Sequence, residues 1–186
     1  MKKFLLGLGL GVLIVPAVAW GYLRFGRLPV AVADAPFPLE RQVVRAPLHA
    51  RMNAEMLANA PIAATPQDLM AGARVYQEQC AACHGLPLRN SPFAEHMYPR
   101  APQLWQSHHG GVIGVNDDPA GETYWKVANG IRLTGMPAFD KTLTTTQMWQ
   151  VTLLLKSAGN TLPAPVVQLL GEPIDYDPST QSDTRN

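Results

Sequence analysis

Thr65-Pro66-Gln67-Asp68-Leu69-Met70-Ala71-Gly72-Ala73-Arg74-Val75-Tyr76-Gln77-Glu78-Gln79-Cys80-Ala81-Ala82-Cys83-His84 is the stretch whose reading decides the fold. Thr65 offers a capping hydroxyl, Pro66 suits the first helical position and Asp68 puts an acid in the first turn, so a helix is expected to run to about Cys80. Gly72, Tyr76 and Cys80 then share one face. The chain has two cysteines, three positions apart, which excludes a disulfide framework. A zinc site would need two further ligands at matching spacing, and no other cysteine supplies them. A thioredoxin-like pair would need a βαβ context that this sequence lacks.

Working outward, a second helix start falls at Asp118-Pro119, with Tyr124, Val127 and Ala128 as its apolar side and Gly130 as its stop. A third helix begins near Thr144 to Thr146. Met148, Val151, Thr152 and Leu155 form one stripe on it, Trp149 and Leu153 lie beside them, and it ends at Gly159. No segment alternates convincingly as a strand. Residues 65–160 therefore read as an all-α domain with long loops, and so small a core usually requires a covalent or metal staple.

Both ends differ in composition from this domain. Lys2 and Lys3 precede an uncharged stretch, Phe4–Leu23, whose length favours a retained transmembrane anchor over a cleaved signal. Ala17-Val18-Ala19 and Ala31-Val32-Ala33 offer signal-peptidase sites, and either outcome exports the domain. Gly7, Gly9 and Gly11 make no dinucleotide loop, since no strand precedes them and Val12 stands where the third glycine should fall. Residues 1–27 are thus read as export signal or anchor, and 28–64, rich in proline, as a linker with a short helix near Leu48–Ala58. Residues 161–186, with Pro163, Pro165, Pro173, Pro178, Asp175, Asp177 and Asp183, are read as a poorly ordered acidic tail. The net charge of +1 conceals 11 basic against 14 acidic residues from position 28 onward. No basic run points to nucleic acid.

Cys80-Ala81-Ala82-Cys83-His84 has the spacing of c-type haem attachment. Two thiols on one turn can each add to a haem vinyl group, and the adjacent histidine is then held beneath the iron. The second axial position has His96, His108, His109 and the methionines as candidates, since imidazole and thioether both serve low-spin haem iron. Met136 is selected by its frame, Leu133-Thr134-Gly135-Met136-Pro137-Ala138-Phe139, where Gly135 permits close approach to the macrocycle and Pro137 fixes the backbone beyond the sulfur. His108 and His109, beside Gly110 and Gly111, read as a solvated loop.

Over about residues 65–160 the chain resembles class I c-type cytochromes of the membrane-anchored or periplasmic bacterial sort. The resemblance implies a cytochrome c fold in which Gly72 lets the C-terminal helix cross closely and Trp149 packs into that crossing. It also implies that Pro102 and Leu104 form the family's Pro-x-Leu: the proline carbonyl accepts from the ligand histidine's other nitrogen and the leucine lines the haem. The Tyr98–Asp118 stretch departs from the short forms of the family.

The function expected is electron transfer by one covalent haem c with His84 and Met136 on the iron, in a periplasmic respiratory or dehydrogenase chain. Redox proteins are the expected partners, the membrane is met through the N-terminal segment, and no nucleic acid or small-molecule substrate is expected. Two other readings stand beside it: a haem subunit of a larger membrane oxidoreductase complex, and a small haem enzyme or gas sensor with an open coordination site.

Overall fold

The computed structural model describes residues 1–172, the side chain of His109 excepted. Met1–Ala46 and the chain from Pro47 onward are separate compact units. The first contains α1, Lys2–Phe25, which buries none of its residues and is long and apolar enough to cross a membrane. α2, Glu40–Glu55, begins in this unit and ends in the second. It replaces the short helix expected near Leu48–Ala58. Pro47 lies inside it rather than breaking it, and Met52, in its last two turns, is completely buried.

Among the described residues the regular elements of the second unit are helices: α3 (Pro66–Gln79), the one-turn α4 (Ala81–His84), α5 (Ala120–Asn129), α6 (Thr145–Lys156) and α7 (Ala164–Gly171). Short 3-10 turns lie at Phe93–His96 and His109–Gly111. Among the described residues β pairing is confined to two isolated bridges, Leu86 with Arg89 and Ser107 with Ile113. This is the all-α architecture of a cytochrome c fold.

All three expected helices form, and two of them, α3 and α6, start on the expected side-chain cap, whereas no side chain caps α5. The Thr65 hydroxyl accepts from the Asp68 amide at 3.2 Å, starting α3. At α6, Thr144 and Gln147 close a reciprocal box: the Gln147 amide donates to the Thr144 hydroxyl and the Thr144 amide to the Gln147 side chain. α5 follows Pro119 directly and stops at Gly130, whose φ of +64 suits glycine. α6 ends at Lys156, a little before the expected Gly159, and the remaining residues form a turn.

The core is the crossing of α3 and α6. A Cβ at Gly72 would lie 2.3 Å from the Gln150 carbonyl oxygen, so the backbones approach where only glycine fits. Tyr76, Val151 and Leu154 are buried around this contact. Gln150 also donates through Nε2 to the Asp68 carboxylate at 3.0 Å, tying α6 to the start of α3. Trp149, expected at the crossing, is fully buried and stacks on Tyr124 of α5, with ring centroids 4.2 Å apart.

The segment read as a tail from residue 161 contains α7. Pro163 precedes the helix and Pro165 occupies its first turn, where a missing N–H costs no intrahelical bond. Val166 and Leu170 are buried in the main core, and Gln77 of α3 donates to the Leu169 carbonyl at 3.2 Å. Pro173, Pro178, Asp175, Asp177 and Asp183 lie outside the described residues.

Candidate functional site

The site begins where α3 ends. The Cys80 amide donates to the Tyr76 carbonyl, and the His84 amide then donates to the Cys80 carbonyl, so α4 is one turn carrying both thiols and the imidazole. The Tyr76 hydroxyl donates to the Gly85 carbonyl at 2.7 Å and fixes the chain beyond that turn. Neither cysteine is in a disulfide. Burial, reinforced by the neighbouring Cys83, pushes the Cys80 thiol up to about 12. Such a thiol stays protonated at neutral pH, which does not suit the thiolate chemistry of exchange reactions.

His84 is placed by the segment that follows. Its Nδ1 lies 2.8 Å from the Pro102 carbonyl oxygen. A carbonyl only accepts, so Nδ1 carries the proton and the Nε2 lone pair is left for a metal. Burial lowers the His84 pKa, with the Pro102 bond opposing, and the neutral form required of a ligand is favoured. Leu104 is buried, and its amide donates to the His84 carbonyl at 3.2 Å. Pro102 and Leu104 therefore hold both the ring and the backbone of His84.

Sequence reasoning missed the residues that cap this turn. Gln103 donates through Nε2 to the Cys83 and Ala101 carbonyls, each at 3.2 Å, and its Oε1 accepts from the Ser91 amide at 2.7 Å. The Ser91 hydroxyl donates to the Ala82 carbonyl. These side chains serve carbonyls that a helix end leaves open. No local pattern announces them, because Ser91 and Gln103 reach α4 from loops that come later in the chain.

Met136 lies in the loop after α5, partly buried against the same core that Cys80 and Leu104 border. The Met136 amide donates to the Thr134 hydroxyl at 3.1 Å, and its carbonyl accepts from the Ile131 amide at 3.2 Å. The loop returns to α5 through the Phe139 amide, which donates to the Val127 carbonyl at 3.1 Å. At Gly135 the absent Cβ leaves room for the Met97 methyl, which would lie 2.4 Å from it. Of the other candidate ligands, His96 is exposed, and the His108 Nε2 is engaged by the Gly114 carbonyl at 2.5 Å.

A turn that carries two thiols and an imidazole whose Nε2 is left unprotonated suits a metal that arrives in its own macrocycle. Among the described residues no three His, Cys, Asp or Glu side chains gather into a cage for a bare ion. The donor set fits a covalently attached haem.

Residues 67–153, a little under half of the chain, match the family described as cytochrome C oxidase, cbb3-type, subunit III. No curated protein matches the chain significantly. A chain of the reducing HAO-like protein complex of Kuenenia stuttgartiensis is 22% identical, with a TM-score of 0.42; the match covers 55% of this chain and 48% of that one. Over residues 67–153 the chain is similar to a c-type cytochrome domain. A domain of that kind binds covalent haem c, and the Cys80 and Cys83 pair is compatible with its attachment.

Proposed function

We propose that the haem is attached through Cys80 and Cys83, that His84 and Met136 are the iron's axial ligands, and that the domain works on the exported side of a membrane anchored by α1. The observation that carries the reading is the 2.8 Å contact between His84 Nδ1 and the Pro102 carbonyl, which leaves Nε2 as a ligand. When bound, haem c supplies a reversible one-electron couple. The residues do the rest. Pro102 fixes the His84 tautomer and raises its basicity. Leu104 presents a buried apolar side chain, and the Met136 sulfur, a soft donor, raises the reduction potential relative to an all-nitrogen set. The unit that houses the haem runs from Pro47 through at least Glu172, and redox proteins are its partners.

The test is Met136→Ala. The variant is expected to lose the iron–methionine absorption band, to lower the potential and to bind carbon monoxide in the ferrous state, while the unmutated protein resists it. Rapid carbon monoxide binding by the unmutated protein would instead establish the open-site reading of an enzyme or sensor. That reading has lost one distal polar group, since His108 is already engaged with Gly114.

A second reading has its own support. The matching family is described as an oxidase subunit, which favours a haem subunit of a membrane oxidoreductase complex over a free carrier. Blue-native electrophoresis with haem staining separates the two: a single small haem-positive species rejects the complex.

A further inference from the structure

We infer that residues 47–57 form a strap that clamps α5 and, through it, holds the Met136 loop in ligating position, with Glu55 as the positioning residue. This rests on the reading of Met136 as a ligand and goes beyond it, because no residue of the strap belongs to the haem-binding motif.

The strap is built from several independent contacts. Met52 is completely buried. The Trp125 indole nitrogen, on α5, donates to Glu55 Oε2 at 2.9 Å, and Arg51 Nε donates to Glu55 Oε1 at 2.8 Å. The Arg51 guanidinium also lies 5.9 Å from the centre of the Trp125 ring. One turn earlier on α5, a Cβ at Gly121 would lie 1.9 Å from the Leu57 carbonyl oxygen, so the strap backbone rests directly on the helix. The Arg51 and Trp125 bonds hold the Glu55 carboxyl below its ordinary value, in that order of effect.

From α5 the contacts continue into the ligand loop. The Trp125 carbonyl accepts from Asn129 Nδ2 at 2.9 Å in the last turn, and the Val127 carbonyl accepts from the Phe139 amide. A Cβ at Gly130 would lie 2.7 to 2.8 Å from Ala138 N, Pro137 C and Met136 O, so the end of α5 and the ligand loop are in backbone contact. On its other side α5 is held to α6 by the Tyr124–Trp149 stack. The strap supplies the opposing support, and a shift of α5 carries Met136 with it because the loop is bonded to the helix at both ends. Holding a ligand ready in this way is preorganisation, achieved by residues that never touch the metal.

The experiment uses the full-length holoprotein in four variants: Gly121→Ala, Glu55→Leu, Glu55→Gln and Met136→Ala. The ferric iron–methionine band and the ferrous carbon monoxide binding rate are read at a temperature where far-ultraviolet circular dichroism shows native helix content. Gly121→Ala pushes the strap away while leaving the loop's own residues unsubstituted, and Glu55→Leu removes the acceptor for Trp125. Both are expected to weaken the band and to raise carbon monoxide binding by about tenfold, equivalent to 1.4 kcal/mol of lost ligand closure. Glu55→Gln keeps an acceptor for Trp125 and should stay near the unmutated protein. If Met136→Ala abolishes the band while Gly121→Ala and Glu55→Leu merely lower the melting temperature and leave carbon monoxide binding within twofold, the strap is only structural and the inference is overturned. If Met136→Ala leaves the spectrum unchanged, the ligand reading itself has failed and takes the inference with it. Should Gly121→Ala not fold, Glu55→Leu alone decides.

Discussion

Replacing Gly72 with alanine should destabilise the domain without touching the haem site. The new Cβ would meet the Gln150 carbonyl oxygen at 2.3 Å, Gln150 C at 2.6 Å and Val151 N at 3.1 Å. All three are backbone atoms of α6, so no side chain can rotate away, and α6 must retreat by about 1 Å to restore ordinary van der Waals separations. A gap of that size forfeits about a quarter to a half of the dispersion well for each atom pair along the contact. Overpacking of this kind costs about 1–3 kcal/mol, and a backbone-on-backbone clash belongs at the upper end. Alanine returns about 1 kcal/mol through its better helix propensity. The net loss is about 2 kcal/mol, which for a domain of this size lowers the melting temperature by about 8 °C. Thermal denaturation of the holoprotein by circular dichroism measures it, with Gly171→Ala as the control, since that Cβ meets nothing within 4 Å. A Gly72→Ala protein melting within about 2 °C of the unmutated one would show that α6 is free to move, and the close crossing would not be what holds the core.

Two further outcomes follow from contacts around the same helices. Leu170→Ala removes a side chain 1% exposed and should cost about 2–5 kcal/mol, read as a lowered urea midpoint; an unchanged midpoint would return α7 to the status of a tail. Asp68 is held below its ordinary value of 3.8 by the Thr65 hydroxyl first and Gln150 next. A lowered folded-state value means its contribution is present at neutral pH, begins to fade near pH 3.8, and is gone once pH has fallen through the folded-state value. Asp68→Asn should therefore flatten the loss of stability between neutral and acid pH, and urea titrations showing identical pH slopes for both proteins would reject the assignment.

The parts legible in the sequence were those set by chemistry within one or two turns. Thr65, Thr144 and Gly130 bounded helices because caps and stops act on their immediate neighbours, and the Cys80–His84 spacing declared itself because both thiols and the imidazole must share one turn. α7 was hidden by Pro163 and Pro165, which read as chain breakers although proline is welcome at a helix start; only the burial of Val166 and Leu170 against α3 shows which role applies. The docking of α2 was equally invisible, because Glu55 and Trp125 are 70 residues apart and neither carries a local signal of the other. Gln103 escaped for the same reason. Its three hydrogen bonds reach partners on either side of a long loop, and glutamine at an unspecified motif position gives no warning of them.

The pairing of α3 with α6 also sets the tempo at which this chain can fold. Gln150 meets Asp68 across 82 residues of sequence, so the core contact that retains either helix cannot form until a loop of that length has closed. Relative to a ten-residue loop, that closure costs about 2 kcal/mol more in chain entropy. Helical proteins usually fold within microseconds to milliseconds because their contacts are local; this one has the long-range topology associated with slower chains. Doubling the length of a connecting loop adds only about 0.6 kcal/mol, so a longer connection at an exposed point between α4 and α5 that spares Pro102, Gln103 and Leu104 has little thermodynamic consequence. Changes in that region would instead be felt in how long the unpaired apolar faces of α3 and α6 stay open to other chains before they meet.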